Sequence, residues 1–102
     1  MIALLDSKRD EVAAVCRRYR VRRLEVFGSA GVGPFDPETS DVDFLVEFHP
    51  IEPGGRADAY FGLLEDLQAI LSRPVDLVMT RAIRNRYFLE AIESTREVLY
   101  AD

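Results

Sequence analysis

Two short stretches decide the fold, Val26-Phe27-Gly28-Ser29 and Ser40-Asp41-Val42-Asp43-Phe44-Leu45-Val46. The first is an apolar run that ends in glycine and serine, and eleven residues separate Ser29 from Asp41. Because side chains along a strand alternate between its two faces, Asp41 and Asp43 point to the same face, roughly 7 Å apart. Two carboxylates at this spacing are suited to sharing divalent cations, and a Gly-Ser turn is suited to approaching a phosphate.

The composition indicates one small soluble domain. The chain has 102 residues, 48% of them hydrophobic, so we expect a single domain over residues 1–102 with one modest core. The net charge of -5 argues against a general nucleic-acid binder or a membrane-surface protein, and we expect neither partner. One cysteine, no secretory signal pattern and no membrane-spanning apolar run favour a cytoplasmic protein.

Strands that alternate with helices predict an α/β fold, with a small mixed β-sheet flanked by α-helices. The predicted strands cover positions 24–27, 42–48, 75–79 and 98–100. The predicted helices are a first one capped by Ser7, a long one over 57–71 and a last one over about 84–94. The long helix carries an apolar stripe that we expect to be buried: Tyr60, Phe61, Leu64, Leu67, Ile70 and Leu71.

Five arginines crowd the end of the first helix and the start of the next strand: Arg17, Arg18, Arg20, Arg22 and Arg23. Cations at a helix C-terminus complement the helix dipole, so a solvated helix end is the favoured interpretation. A patch for an acidic partner or for nucleotide phosphates is the alternative.

Asp76 interrupts an otherwise apolar strand. In the run 75–79 (VDLVM), Asp76 and Val78 share one face, and no cation is adjacent in the sequence. An ionised carboxylate that is buried without a partner is costly. Either Asp76 lies on an edge strand and points into water, or it shares a metal ion with Asp41 and Asp43, since neighbouring strands lie roughly 5 Å apart.

Together, Gly28, Ser29, Asp41, Asp43 and Asp76 resemble the pattern of the DNA polymerase beta-like nucleotidyltransferase superfamily. That pattern is Gly-Ser, a spacer of about ten residues, Asp-x-Asp and a third aspartate on a later strand. In length and order the chain is similar to the minimal nucleotidyltransferases (MNT), the antitoxins of HEPN/MNT toxin–antitoxin pairs. The resemblance covers nearly the whole chain.

This resemblance implies a nucleotidyltransferase fold and an antitoxin that transfers AMP from ATP to a tyrosine hydroxyl of a cognate HEPN RNase toxin. Pyrophosphate is released by a two-metal mechanism, with two Mg²⁺ ions as cofactors and ATP as substrate. Asp41, Asp43 and Asp76 are then the catalytic and metal-binding residues. Gly28 and Ser29 would hold the β- and γ-phosphates of the nucleotide.

Two alternatives to protein AMP transfer stay open. A non-catalytic antitoxin would neutralise its toxin by direct binding and would retain these residues without using them. A transferase for a small molecule would place AMP on a hydroxyl of, for example, an antibiotic. Neither alternative changes the residues that we expect at the site.

Overall fold

Four strands in the described part of the chain form one mixed β-sheet. The computed structural model describes residues 3–28, 41–79, 86–87, 90 and 93–102. The strands are β1 (Val21–Phe27), β2 (Val42–Phe48), β3 (Val75–Met79) and β4 (Glu97–Ala101). Their order across the sheet is β3-β2-β1-β4; β2 and β3 run parallel, whereas β1 is antiparallel to both β2 and β4. The predicted small mixed sheet is confirmed.

The helices are α1 (Ala3–Ser7), α2 (Arg9–Arg18) and α3 (Arg56–Leu71), and short 3-10 turns cover Pro53–Gly55 and Glu93–Thr95. Buried residues of α2 and α3 belong to the same apolar core as Leu24 of β1 and Phe44 of β2. The helices therefore cover one face of the sheet, as the α/β prediction requires. None of the helices in the described ranges combines the length and apolarity that crossing a membrane requires.

The apolar side chains of β2 are divided between the two faces of the sheet. Three alternate residues have no exposed surface and pack in the main core: Val42, Phe44 and Val46. The side chain of Asp43 therefore points to the opposite face of the sheet. A second, smaller apolar cluster on that face consists of Phe27, Leu45 and Val78.

The buried stripe of α3 differs from the predicted one. The buried residues are four apart along the helix: Ala59, Leu63, Leu67 and Leu71. Phe61 is 58% exposed, so the prediction that it is buried is wrong. Because Leu63 faces the sheet, Phe61, two positions earlier, points to the opposite side of the helix.

The start of the chain also differs from the prediction. The Ser7 hydroxyl donates to the Leu4 carbonyl at 2.8 Å, and Lys8 lies at the N-cap of α2 without a side-chain capping bond. The predicted cap by Ser7 is therefore wrong, because the preceding turn already engages its hydroxyl. Strand β1 begins at Val21 instead of position 24, since Val21 already pairs with Phe48 of β2.

Most of the predicted last helix lies outside the described residues. Positions 86, 87 and 90 are helical. The helix does not extend to its predicted end at about position 94, because Glu93–Thr95 forms a 3-10 turn that only Arg96 separates from β4.

Two arginines of the predicted cluster form exposed ion pairs with carboxylates of this chain. Arg18 lies 3.6 Å from Asp66 on α3, and Arg22 lies 3.3 Å from Glu47 on β2. Exposed pairs of this kind contribute little to stability. For Arg18 and Arg22, the contacts support the interpretation of a solvated helix end.

A buried carboxylate, Glu25, joins β1 to the residues just before β4. Glu25 is 6% exposed. Its carboxylate accepts two hydrogen bonds from Arg96, at 2.7 and 3.0 Å, and Nε of Arg23 lies 2.8 Å from its Oε1. The hydrogen bonds from Arg96, followed by the charges of Arg96 and Arg23, hold the pKa of Glu25 below its ordinary value. The folded state therefore favours the charged form of Glu25.

We expect Glu25→Gln to lower the free energy of unfolding at pH 7 by about 2 kcal/mol, because two arginines lose their anionic partner. Since the pKa of Glu25 is depressed on folding, its contribution is present above the ordinary value near 4.5 and is lost as the pH falls through the folded pKa. Urea unfolding should show a smaller difference between wild type and variant at pH 3 than at pH 7. An equal difference at both pH values would contradict the ionic role.

Gly62 allows α3 to pack closely against Tyr19, the residue that follows α2. A Cβ at position 62 would lie 2.5 Å from Cε1 of Tyr19 and 2.9 Å from its hydroxyl oxygen. That hydroxyl donates to the Asp66 carboxylate, one turn further along α3, at 3.0 Å. The absence of a side chain at position 62 therefore supports the contact between the two helices.

An alanine in place of a mid-helix glycine usually stabilises a protein by up to about 1 kcal/mol. Here we expect Gly62→Ala to lower the free energy of unfolding by about 1–3 kcal/mol, because the Tyr19 ring must move and its bond to Asp66 must break. In a Tyr19→Ala background, the same substitution should be stabilising. Urea unfolding of the wild type, the two single variants and the double variant measures both effects. Stabilisation by Gly62→Ala in both backgrounds would contradict this packing.

Candidate active site

The predicted carboxylates lie at the end of the sheet where β2 and β3 begin. In the parallel pairing of these strands, Asp43 is the register partner of Asp76. In the antiparallel pairing with β1, Asp43 is opposite Phe27. Register partners on neighbouring strands share a face and lie about 5 Å apart. The backbone therefore brings Asp43 and Asp76 side by side on the face that is turned away from α2 and α3.

Asp43 is half-buried and carries an unfavourable charge environment. Burial raises its pKa above the ordinary value, and the neighbouring charges of Asp76 and Asp41 raise it further. Within the described ranges, no ion pair or side-chain hydrogen bond links any of the three carboxylates to another residue. Negative charge is therefore concentrated at this end of the sheet, and none of the described Lys, Arg or His side chains pairs with it.

Asp41 and Asp76 are more accessible than Asp43. Asp41 lies one residue before β2 and is exposed, and Asp76 is exposed on β3. Among the described residues, no three His, Cys, Asp or Glu side chains lie in an arrangement that could hold a metal ion in this conformation. Mutual repulsion between carboxylates opposes such a grouping, and a divalent cation would reverse this repulsion.

Gly28 lies against the Asp43 carboxylate. Its φ of +73° falls in the left-handed region that favours glycine. A Cβ at this position would lie 3.0 Å from Oδ2 of Asp43. Glycine therefore permits both the turn after β1 and its close approach to the carboxylate. Ser29 lies outside the described residues, so the phosphate contacts of this turn stay a prediction.

Sequence analysis did not identify Thr95 and Arg96, which adjoin the site. The Gly28 N–H donates to Oγ1 of Thr95 at 3.1 Å. The next residue, Arg96, is the partner of buried Glu25, at a sequence separation of 71 positions. Glu25 is an acidic residue in the apolar part of β1, so the sequence indicates that it requires a cationic partner. No local signal identifies Arg96 as that cation, since the pairing of β1 with β4 brings the two together.

The carboxylates present are chemically suited to Mg²⁺. This ion binds through one or two carboxylates, waters and substrate phosphates. Asp43 and Asp76 offer hard oxygen donors on adjacent strands of one sheet face, and Asp41 is close enough for its charge to act on Asp43. A nearby cation favours the ionised form of a carboxylate, which would offset the unfavourable environment of Asp43. The residues therefore fit a divalent cation.

Comparison with known sequences identifies the domain. The family model described as nucleotidyltransferase domain matches residues 11–99. Two proteins of Methanocaldococcus jannaschii, both named "putative protein adenylyltransferase", are each 36% identical to this chain. One match extends over 76 residues and 74% of both chains, and the other over 88 residues and 86% of both chains.

Solved structures show the same fold. That of a "putative minimal nucleotidyltransferase" has a TM-score of 0.73 at 31% identity, over 91% of this chain and 90% of that chain. A toxin–antitoxin crystal structure with AMP-PNP has a TM-score of 0.67 at 19% identity, over 92% of this chain and 73% of that chain. A complex of tri-AMPylated Shewanella oneidensis HEPN toxin with MNT antitoxin has a TM-score of 0.64 at 17% identity, over 96% of this chain and 73% of that chain.

The last two likenesses, at such low identity, establish only that the fold is shared. The family match and the 36% identical relatives go further, because they cover most of this chain. The predicted nucleotidyltransferase fold and the resemblance to minimal nucleotidyltransferases are confirmed. The chain belongs to the nucleotidyltransferase-domain family.

Proposed function

We propose that this protein is an antitoxin that transfers AMP from ATP to a tyrosine hydroxyl of a HEPN-type toxin and releases pyrophosphate. The observation that carries the proposal is the placement of Asp43 beside Asp76, with Gly28 against the Asp43 carboxylate, in a chain of this family. The names of the similar proteins support the acceptor class. Two relatives are named for protein adenylylation, and one structural neighbour is a complex with an AMPylated toxin.

The three aspartates would hold two Mg²⁺ ions. Asp41 and Asp43 would contact both ions, and Asp76 the ion nearer the acceptor. When bound, Mg²⁺ supplies positive charge to the triphosphate and to the attacking and leaving oxygens. The turn after β1 would hold the β- and γ-phosphates. Because the Gly28 N–H already donates to Thr95, the donors for the phosphates would begin at Ser29.

The residues of this chain would act through position and charge. Asp76 is exposed, so it can accept a hydrogen bond from an incoming tyrosine hydroxyl and take its proton. The hydroxyl oxygen would then bond to the α-phosphorus of ATP, and the bond from that phosphorus to the pyrophosphate oxygen would break. Asp43 is half-buried beside Gly28 and less exposed than Asp76, and it would anchor the nucleotide side.

We expect the wild-type protein, mixed with ATP, Mg²⁺ and the protein encoded by the neighbouring gene, to add one or more AMP units to that partner. Intact-mass spectrometry of both chains over time measures the transfer. Asp43→Asn should slow it by about 100-fold or more, because the variant removes the central carboxylate while keeping the side-chain shape. Chelation of Mg²⁺ should stop it.

Asp58→Asn is the matched control, since Asp58 is an exposed aspartate in the first turn of α3. It changes the net charge equally and should leave the rate within about twofold. Equal rates for wild type and Asp43→Asn would contradict the proposed site. A stable complex without any gain in mass would contradict catalysis and support neutralisation by binding alone.

A further inference from the structure

The 3-10 turn Glu93–Thr95 is anchored to β1 through Arg96. The Arg96 guanidinium donates two hydrogen bonds to the Glu25 carboxylate, and its Nη1 donates to Glu93 at 3.1 Å. The exposed fraction is 7% for the Glu25 side chain and 25% for the Arg96 side chain. One guanidinium therefore links the central strand to the turn, in a setting where charge-assisted hydrogen bonds are strong.

The register of β1 and β4 brings this turn to Gly28. Val26 pairs with Glu97, so two further residues of antiparallel register place Gly28 opposite Thr95. The backbone of Gly28 leaves the strand conformation, with φ of +73°. Its N–H donates to the Thr95 hydroxyl at 3.1 Å. The hydroxyl thus supplies an acceptor for a half-buried backbone N–H at the end of a strand.

The position of Gly28 in turn matters for Asp43. A Cβ on Gly28 would lie 3.0 Å from Oδ2 of Asp43, so the carboxylate occupies the space beside the Gly28 α-carbon. A displacement of the turn by a few tenths of an ångström would change this contact. Glu25 is thus connected to the site in steps: it is hydrogen-bonded to Arg96, Arg96 follows Thr95 in the chain, Thr95 is hydrogen-bonded to Gly28, and Gly28 lies beside the Asp43 carboxylate.

We propose that Thr95 is a positioning residue of the nucleotidyl-transfer site. Its hydroxyl, held in place by the Glu25–Arg96 ion pair, fixes the Gly28 turn against Asp43. Thr95 acts through Gly28 and touches neither the nucleotide nor a metal ion. The catalytic consequence rests on the proposed function, and the effect on cation affinity rests on the proposed cation site alone. The effect on the Gly28 amide rests on neither.

Two substitutions separate the hydroxyl from the shape of the side chain. Thr95→Val keeps the shape and removes the acceptor, and Thr95→Ser keeps the acceptor. In Thr95→Val we expect the Gly28 amide to exchange with solvent about tenfold faster in NMR measurements. We also expect Mn²⁺ affinity, measured by electron paramagnetic resonance, to fall by about threefold or more. The kcat of AMP transfer should fall about tenfold, with KM for the acceptor protein unchanged. Thr95→Ser should restore all three quantities.

Tyr19→Phe is the control for a loss of stability alone. It removes a half-buried hydrogen bond, from Tyr19 to Asp66, between α2 and α3. The variant should leave Gly28 exchange, Mn²⁺ affinity and kcat at their wild-type values.

The proposal is overturned if Thr95→Val leaves Gly28 exchange and Mn²⁺ affinity within about twofold of wild type. It is also overturned if Tyr19→Phe reproduces the losses, since the effect would then be general destabilisation. If Thr95→Val does not fold, Thr95→Ala removes the same acceptor with less bulk and takes its place. If the wild-type protein transfers no AMP, the proposed function fails, and the exchange and Mn²⁺ measurements still decide the role of Thr95.

Discussion

Burial of one face of β2 determines where the aspartates of this protein point. Val42, Phe44 and Val46 are fully buried beneath the helices. Because strand side chains alternate, this burial turns Asp43 to the opposite face. Parallel pairing with β3 then adds Asp76 to the same row. A one-residue slip of β2 would bury its carboxylates in the main core, so the packing that stabilises the fold also constrains the site.

Two carboxylates on the site face of the sheet have opposite electrostatic environments. Arg96 and Arg23 lower the pKa of Glu25, which makes it a structural link between β1 and the segment before β4. Burial and the charges of two other aspartates raise the pKa of Asp43, and no described cation offsets them. A compensated carboxylate on β1 and an uncompensated one on β2 therefore lie on the same face of the sheet. This is the contrast expected between a stabilising group and the proposed metal ligand. In the proposal for Thr95, the Glu25–Arg96 pair also holds in place the turn at Gly28 that lies beside Asp43.

The parts that sequence analysis predicted correctly depend on local periodicity. Strands β2 and β3 follow from their apolar alternation, and the same alternation places Asp43 and Asp76 on the face opposite the helices. Phe61 was predicted incorrectly because α3 carries apolar residues around more than one stripe, and only packing on the sheet selects Leu63 over Phe61. Thr95 and Arg96 were inaccessible to sequence analysis, because their roles arise from pairing between strands that are distant in the chain.

The central claim is that the paired aspartates at the start of β2 and β3 bind a divalent cation. A Mn²⁺ titration followed by electron paramagnetic resonance, with Mg²⁺ as competitor, tests it without any acceptor protein. We predict that wild type and Asp58→Asn bind Mn²⁺ equally, and that Asp43→Asn and Asp76→Asn each weaken binding by about tenfold or more. Mn²⁺ binding that is as tight in both variants as in wild type would contradict the account.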